Sequence, residues 1–169
     1  MKIFLIGFMG SGKTHTGRLI SQKLGLPFFD LDEQVVNHQE RSINEIFEKE
    51  GEEFFRQTEK EVLHILTESH DAFVMATGGG APCYYNNIGY MNEAGLTVWI
   101  NTPTEILFQR LVKEKEERPL LRDLSDDQLR SFIQKKIGDR RIYYEQADVI
   151  IQEEEEDRLD LILQKILHA

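Results

Sequence analysis

A glycine-rich segment near the amino terminus has the residue types that bind phosphate groups. Residues 7–14 read GFMGSGKT and match the phosphate-loop pattern G-x-x-x-x-G-K-[ST] at every fixed position. The glycines let backbone N–H groups surround phosphate oxygens, and the amino end of a following helix adds positive potential. Lys13 would reach the β- and γ-phosphates of ATP, and the hydroxyl of Thr14 would bind Mg²⁺. The segment predicts ATP binding, and the sequence has no Asn-Lys-x-Asp motif to indicate a GTPase.

Further residues could position a small anionic molecule beside that nucleotide. Asp30 and Asp32 end an apolar run, and residues i and i+2 of a strand share a face, so both carboxylates would aim at one site. Three glycines at 78–80 would let the backbone approach a flat ring closely. Arg56 and Arg140 could neutralise a carboxylate and form forked hydrogen bonds with it. These residues predict phosphoryl transfer to a small acid, in which positioning and charge neutralisation supply most of the rate.

The composition narrows the class of partner. The 169 residues carry a formal net charge of −10, a field that repels nucleic acids and anionic membranes, so neither is expected as a partner. An anionic substrate must therefore be attracted by local arginine and lysine residues. The single cysteine, Cys83, cannot form an internal disulfide, which fits a reducing cytosol. The apolar run at 3–6 is too short to span a membrane, and a cytoplasmic location is expected.

Short apolar runs alternate with longer amphipathic segments along the chain. Strand-length runs occur at 2–6, 28–31, 73–77, 97–101 and 148–151, and helix-like segments occur at 13–24, 42–51, 52–69, 103–114, 125–145 and 157–168. An acidic turn is expected at 153–157. Five strands interleaved with helices predict a parallel sheet with helices on both faces. The chemistry should then lie at the carboxyl ends of the strands.

One charged stretch does not fit a core. Residues 113–127 are rich in charge and are centred on the sequence RPLL at 118–121. This stretch is either an exposed surface loop or a lid. As a lid it would bring Arg118 to the phosphates only on closing, which would also exclude water and limit ATP hydrolysis.

In order and spacing, these motifs resemble the shikimate kinase family over nearly the whole chain. The landmarks beyond the phosphate loop are DLD at 30–32, Phe47 with GEEFFR at 51–56 and Glu59, TGGG at 77–80, RPLL at 118–121, and Arg140 followed by Tyr144 and Ala147. The resemblance implies a three-layer α/β P-loop fold like that of the nucleoside monophosphate kinases. It also implies one domain over 1–169, with a substrate-binding segment at about 32–60 and a mobile lid at about 112–125.

The resemblance implies a reaction in which ATP phosphorylates the 3-hydroxyl of shikimate, with Mg²⁺ as cofactor. For the acceptor, it implies that Asp32 holds the shikimate hydroxyls, that Arg56 and Arg140 bind the carboxylate, and that a backbone wall lies beneath the ring at Gly78, Gly79 and Gly80. For the nucleotide, it implies a set of contacts from Gly10, Ser11, Gly12, Lys13, Thr14, His15, Arg110 and Arg118. Arg110 would flank the adenine, and Asp30 would help to hold Mg²⁺ through water. Lys13, Asp32 and Arg118 are the implied catalytic residues.

Some assignments stay open at this point. Arg140 and Arg141 are adjacent, so the carboxylate-binding role could belong to either, although the spacing to Tyr144 and Ala147 favours Arg140. His15 departs from the Ser or Thr usual in the family and is expected to be a spectator or a minor nucleotide contact. Cys83 is expected to be inert, and the tyrosine pairs at 84–85 and 143–144 are expected to pack.

Two other functions compete with shikimate phosphorylation. A kinase for gluconate or another small sugar acid would need a different arrangement of the acceptor residues. A non-catalytic nucleotide-binding module should have lost catalytic positions, yet Lys13, Thr14, Asp32 and Arg118 are all present. By analogy with small kinases of this build, a monomer is expected.

Overall fold

The described part of the chain, residues 1–152 and 158–169 of a computed structural model, contains a five-stranded sheet. The strands are β1 Lys2–Ile6, β2 Phe28–Asp30, β3 Phe73–Ala76, β4 Leu96–Asn101 and β5 Val149–Gln152. They lie in the order β2-β3-β1-β4-β5, and every neighbouring pair is parallel. This confirms the predicted parallel sheet. The acidic turn predicted at 153–157 lies outside the described residues.

Helices connect the strands and cover both faces of the sheet. Their bounds are α1 Lys13–Leu24, α2 Leu31–Gln39, α3 Ile43–Ser69, α4 Asn87–Ala94, α5 Thr104–Glu114, α6 Asp126–Tyr144 and α7 Arg158–His168. Short 3-10 helices occupy Ala81–Cys83 and Lys115–Glu117. The arrangement is the three-layer α/β fold that the alternating pattern predicts.

Alternate side chains of β1 pack into two different hydrophobic cores, one on each face of the sheet. Ile3 and Leu5 pack into one cluster with residues of α1 and α7, whereas Phe4 and Ile6 pack into another with residues of α3, α4 and α6. All four side chains are fully buried. The strand is covered on both faces, which explains why its sequence is continuously apolar rather than alternating.

The strand prediction at 28–31 is wrong at its end. Asp30 is the last residue of β2 and the N-cap of α2, and its carboxylate accepts hydrogen bonds from the backbone N–H groups of Asp32 and Glu33 at 3.0 and 3.3 Å. Leu31 and Asp32 therefore belong to a helix, so the strand alternation invoked for the two aspartates does not apply. Aspartate is a strong N-cap residue, and its carboxylate satisfies N–H groups that a helix start leaves unpaired.

The predicted helix boundary at Gly51 appears as a break inside α3. Gly51 has φ 87° and ψ 175°, which are not helical, so α3 bends there into two segments. The first segment begins as predicted at Ser42, whose hydroxyl accepts a hydrogen bond from the backbone N–H of Glu45 at 3.2 Å. The second segment buries Arg56, Glu59 and Leu63, and so carries charged groups into the core.

The segment that the sequence suggested as a loop or lid is attached to the core through Leu121. It follows α5 as a short 3-10 helix and a series of turns before α6. Leu121 is fully buried in a cluster with Phe8, Leu111 and Leu129, whereas Leu120 beside it is 76% exposed. The expectation that this stretch contributes nothing to a core is therefore wrong at Leu121.

Two helical glycines allow a matched test of the packing between α1 and the sheet. A Cβ at Gly17 would lie 2.6 Å from the ring of Phe28 and 3.1 Å from the side chain of Leu5, whereas a Cβ at Gly138 meets nothing within 4 Å in the described part of the chain. Gly17→Ala should lower the free energy of unfolding by about 1–3 kcal/mol through overpacking. Gly138→Ala should raise it by up to about 1 kcal/mol through helix propensity.

Urea denaturation of the two variants and the wild type measures this difference. If both alanine variants changed stability by the same amount and in the same direction, the close contact of α1 with Phe28 would be contradicted.

Candidate active site

The phosphate loop leads from β1 to α1 with a backbone that only glycine adopts readily. Gly10 and Gly12 have φ angles of 79° and 87°. A Cβ at Gly10 would also lie 3.1 Å from the side chain of Leu111. Gly12 is the N-cap of α1 and has no side chain to bond the first-turn N–H groups. The amino end of α1 therefore offers N–H donors and positive potential to an anion.

Lys13 lies at the centre of this loop and is buried. Its ammonium group donates hydrogen bonds to the carbonyl oxygens of Gly7 and Phe8 at 2.7 and 2.9 Å. Burial lowers the pKa of Lys13 to about 8, although the nearby carboxylates of Asp32 and Asp30 oppose this shift. The lysine is thus held in place by backbone oxygens, with two acidic groups close to it.

Thr14 and Asp30 bring two oxygen-bearing side chains together beside the loop. The hydroxyl of Thr14 donates to Oδ2 of Asp30 at 2.9 Å, while Oδ1 of the same carboxylate caps α2. Hydroxyl and carboxylate oxygens suit Mg²⁺, which takes few protein ligands when phosphates and waters complete its shell. The described residues contain no group of three or more His, Cys, Asp or Glu side chains that could hold a metal ion.

Each glycine of the turn after β3 leaves room for a charged side chain. An ideal Cβ at Gly78 would lie 3.0 Å from Oδ1 of Asp32, and one at Gly79 would lie 3.0 Å from Nη1 of Arg140. A Cβ at Gly80 would lie 2.6–2.8 Å from the guanidinium of Arg56. A Cβ at Gly78 would also lie 3.2 Å from Oε2 of Glu59, so two carboxylates and two guanidinium groups converge on the three glycines. The sequence predicted close approach to a ligand ring, but not this close approach to the protein's own charges.

Arg56 lies in a buried acidic setting on α3. Its Nη1 donates to Oε1 of Glu59 at 3.1 Å, and its Nε lies 3.6 Å from Oε1 of Glu52. Burial raises the pKa of Glu59 to about 7, although the charge of Arg56 works against the shift. Among the described residues, Nε of Arg56 and Oε2 of Glu59 lack hydrogen-bond partners. Oε2 of Glu59 would lie 3.2 Å from a Cβ at Gly78, so a ligand or water bound at the glycine turn could satisfy this atom.

Asp32 occupies the first turn of α2, opposite Lys13. Burial raises the pKa of Asp32, with a further upward effect from Asp30 and an opposing one from Lys13. A carboxylate with a raised pKa accepts a proton more readily than an exposed one. The structure thus brings a carboxylate that can act as a proton acceptor to the phosphate loop. The first turn of α2 positions this carboxylate, not the strand face that the sequence suggested.

The adjacent arginines at the end of α6 have different surroundings. Arg140 reaches Gly79 and lies 5.6 Å from the ring centroid of Phe8. Arg141 is exposed and pairs with Glu145 at 2.6 Å. The hydroxyl of the buried Tyr144 donates to the carbonyl oxygen of Gly79 at 2.5 Å. Of the two arginines, Arg140 is the one that the helix directs into the site.

A cavity of about 780 Å³ joins these groups at the carboxyl ends of the strands. The predicted residues that line it are Gly10, Gly12, Lys13, Thr14, His15, Asp30, Asp32, Gly78, Gly79, Arg110 and Arg118. Arg56, Gly80 and Arg140 adjoin it around the glycine turn, and Ser11 is fully buried beneath the loop. The structure therefore gathers the predicted set in one region, and the role of each residue stays a prediction.

The two arginines nearest the loop are held by oxygen acceptors. Arg110 donates to the carbonyl oxygen of Gly10 at 2.9 Å. Arg118 pairs with Glu114 at 2.8 Å, one helical turn away, and both side chains are partly exposed. Glu114 also lines the cavity. Sequence reasoning missed this acid, although its spacing of four residues from Arg118 is the signal that could have indicated it.

The sequence comparisons agree on one family. The family model for shikimate kinase matches residues 9–169. Shikimate kinase from Bacteroides thetaiotaomicron is 41% identical over 159 residues, which cover 94% of this chain and 90% of that protein. The chain belongs to the shikimate kinase family. The resemblance read from the motifs is thus confirmed, and with it the class of ATP-using kinase.

Solved structures of shikimate kinases share the whole fold. A 1.7 Å crystal structure of shikimate kinase from Bacteroides thetaiotaomicron has a TM-score of 0.90 and 37% identity, covering 100% of this chain and 99% of that one. Shikimate kinase from Acinetobacter baumannii, in complex with shikimate, has a TM-score of 0.87 and 36% identity, with coverages of 99% and 93%. A gluconokinase from Sinorhizobium meliloti, at 18% identity and a TM-score of 0.57, shares the fold alone.

The buried carboxyl group of Glu59 predicts a pH dependence of stability. Its pKa is about 7 in the folded chain against an ordinary value of 4.5, so the folded state binds more protons between these values. The contribution of the Glu59 carboxyl group to the free energy of unfolding is fully present below pH 4.5 and is lost as the pH rises through 7. Relative to Glu59→Gln, the wild type should lose about 2 kcal/mol of unfolding free energy between pH 5 and 8.

Chemical denaturation at several pH values measures this difference. Glu61→Gln, which changes an exposed acid on the same helix, is the matched control, and its difference from the wild type should vary little. A constant difference between Glu59→Gln and the wild type from pH 5 to 8 would show that Glu59 is ionised throughout.

Proposed function

We propose that this member of the shikimate kinase family transfers the γ-phosphoryl group of ATP to the 3-hydroxyl of shikimate. The products are shikimate 3-phosphate and ADP, which places the reaction in aromatic amino acid biosynthesis. The observation that carries the proposal is the glycine turn at 78–80, where the carboxylates of Asp32 and Glu59 and two guanidinium groups meet beside the phosphate loop. A hydroxylated carboxylic acid has the groups that this set would bind.

The nucleotide binds along the phosphate loop. Backbone N–H groups of Gly10, Ser11 and Gly12 and the amino end of α1 receive the phosphates. Lys13 exchanges its backbone carbonyl partners for phosphate oxygens, an exchange favoured by the greater strength of a hydrogen bond between two charged groups. His15 lines the same cavity and has a minor role. Arg110 flanks the adenine.

Mg²⁺ is held by the hydroxyl of Thr14 and, through water, by Asp30. The hydrogen bond of 2.9 Å between these two side chains supports the proposal, because it keeps both oxygen-bearing groups together beside the loop. When bound, Mg²⁺ neutralises phosphate charge. Asp30 also caps α2, so the same residue ties the metal site to the helix that carries Asp32.

Shikimate binds against the glycine turn at 78–80. Arg56 and Arg140 neutralise its carboxylate, and Gly79 donates a backbone N–H group. Asp32 accepts hydrogen bonds from the ring hydroxyls and holds the 3-hydroxyl in line with the γ-phosphate. Since burial raises the pKa of Asp32, its carboxylate can also take the proton that the attacking hydroxyl loses.

Charge neutralisation completes the reaction. Phosphoryl transfer spreads negative charge over the γ-phosphate oxygens, and fixed cations stabilise that charge. Lys13 already lies at the loop, and Arg118 lines the same cavity while it pairs with Glu114, from which it would turn to the phosphates. The segment at about 112–125 is therefore the lid, and the substrate-binding segment is at about 32–60 within one domain over 1–169.

The remaining expectations concern the state of the whole chain. A monomer is proposed by analogy with small kinases of this build. Within residues 1–152 and 158–169, no helix combines the length and the apolar character needed to cross a bilayer. The cytoplasmic location remains a prediction from the cysteine content. The exclusion of nucleic acids and membranes as partners remains a prediction from the net charge.

An ADP-release assay with three acceptor conditions tests the proposed reaction. ADP should form from ATP and Mg²⁺ when shikimate is present, and should form slowly with gluconate or with no acceptor. Asp32→Asn keeps the size of the side chain but removes its basicity, so acceptor-dependent turnover should fall by about 100-fold or more. Turnover with gluconate alone, or hydrolysis that ignores the acceptor, would refute shikimate as the substrate.

The adjacent arginines on α6 provide a matched pair for the carboxylate site. Arg140→Ala should raise the KM for shikimate by about 10–100-fold, since it removes a charged hydrogen-bond donor. The KM for ATP should stay within about twofold of the wild-type value, because the phosphate loop binds the nucleotide and is unchanged in this variant. Arg141→Ala should leave both values near those of the wild type. If Arg141→Ala raised the KM for shikimate more than Arg140→Ala does, the carboxylate-binding role would belong to Arg141.

A further inference from the structure

The ring of Tyr84 supports the guanidinium group of Arg56. Cζ of Arg56 lies 4.3 Å from the centroid of the Tyr84 ring, closer than its 5.1 Å distance from the ring of Phe55. The hydroxyl of Tyr84 donates to Oε1 of Glu52 at 3.1 Å, and that same oxygen lies 3.6 Å from Nε of Arg56. Tyr84 therefore contacts the arginine through its ring and, through Glu52, at the edge of the guanidinium plane.

The backbone fixes this ring in place relative to the glycine turn. The N–H of Cys83 donates to the carbonyl of Gly80 at 3.0 Å, and the N–H of Asn87 donates to the carbonyl of Tyr84 at 2.9 Å. Tyr85 and Asn86, between them, have φ angles of 51° and 54°, an uncommon conformation for residues other than glycine. The chain thus reverses sharply just after Tyr84, and a strained reversal persists only where its surroundings hold it.

A buried side chain supplies that support. Asn87 is fully buried, and its Nδ2 donates to the carbonyl oxygen of Ala81 at 2.9 Å. Ala81 in turn donates its N–H to the carbonyl of Gly78 at 3.1 Å. The segment from Gly78 to Asn87 is therefore one hydrogen-bonded unit. It contacts Arg56 twice, at Gly80 and at Tyr84.

An aromatic ring is well suited to orient an arginine that must bind an anion. All N–H donors of a guanidinium lie in its plane, and Glu59 already accepts from Nη1 in that plane. A ring against the face restrains the tilt of the group without using any donor. A third carboxylate would instead take a donor and repel an incoming carboxylate.

We propose that Tyr84 is a positioning residue that orients Arg56 for the carboxylate of the acceptor. This rests on the proposed function, since it takes Arg56 as a carboxylate-binding residue. Tyr84 acts through Arg56 and does not reach the phosphoryl group. The ring carries the effect, and the hydroxyl contributes through Glu52.

Two substitutions at one position separate the ring from mere packing. Tyr84→Leu removes the ring and should raise the KM for shikimate by about fivefold to tenfold, the range expected for a partly buried cation–π contact. Its kcat and its KM for ATP should stay within about twofold of the wild type. Tyr84→Phe keeps the ring and should restore the shikimate KM to within about twofold. A purely structural role would instead lower the melting temperature and change kcat and both KM values together.

A double-mutant cycle with Arg56→Ala decides whether the effect passes through the arginine. In the Arg56→Ala background, Tyr84→Leu should cause no further change in the shikimate KM, because the group it orients is gone. An equal effect in both backgrounds, or an unchanged KM in Tyr84→Leu alone, would overturn the inference. If Arg56→Ala itself left the shikimate KM unchanged, the proposed role of Arg56 would fail instead, which separates the two failures.

Discussion

The site depends on one backbone turn without side chains, because four charged groups from three different helices converge on it. Asp32 comes from α2, Arg56 and Glu59 come from α3, and Arg140 comes from α6, and a Cβ on the turn would lie within 3.2 Å of each of them. The order of the strands explains the position of this turn. Since β3 lies between β2 and β1, its carboxyl end falls between Asp30 and the phosphate loop. The sheet thus brings the acceptor residues and the nucleotide residues to adjacent strand ends.

Such a concentration of charge must be stabilised before any ligand arrives. The chain as a whole is acidic, with a net charge of −10, so cations for anionic substrates have to be held locally. Burying Arg56 is unfavourable unless it is paired, and Glu59 supplies the partner, while its own pKa rises as a result of burial. The pairing is incomplete, since Glu59 accepts from Nη1 and Glu52 lies 3.6 Å from Nε, and these two contacts do not use all five N–H donors of the group. An ion pair that leaves donors free stabilises the arginine without filling its binding capacity.

The sequence predicted the sheet and the phosphate loop well because both features are determined by residues that are close together in the sequence. Apolar runs define buried strands, and GFMGSGKT specifies a strand, a loop and a helix start within a few residues. The whole of α2 was missed, because Leu31 extends the apolar run of β2, although Asp30 is a strong N-cap. The helix α4 was missed because its sequence, NIGYMNEA, contains a glycine and little periodicity. Contacts such as Tyr144 with Gly79, 65 residues apart, leave no local pattern at all.

The same contrast between local and distant contacts bears on the lid role that we propose for Arg118. Arg118 pairs with Glu114 one turn away, and with side chains 39% and 46% exposed such a pair contributes about 1 kcal/mol or less. A phosphate group can therefore displace Glu114 at little cost. Leu121, only three residues further on, is fully buried among Phe8 and residues of α5 and α6. In the proposed lid, Arg118 could therefore move while the buried Leu121 keeps the segment attached to the core that places the phosphate loop.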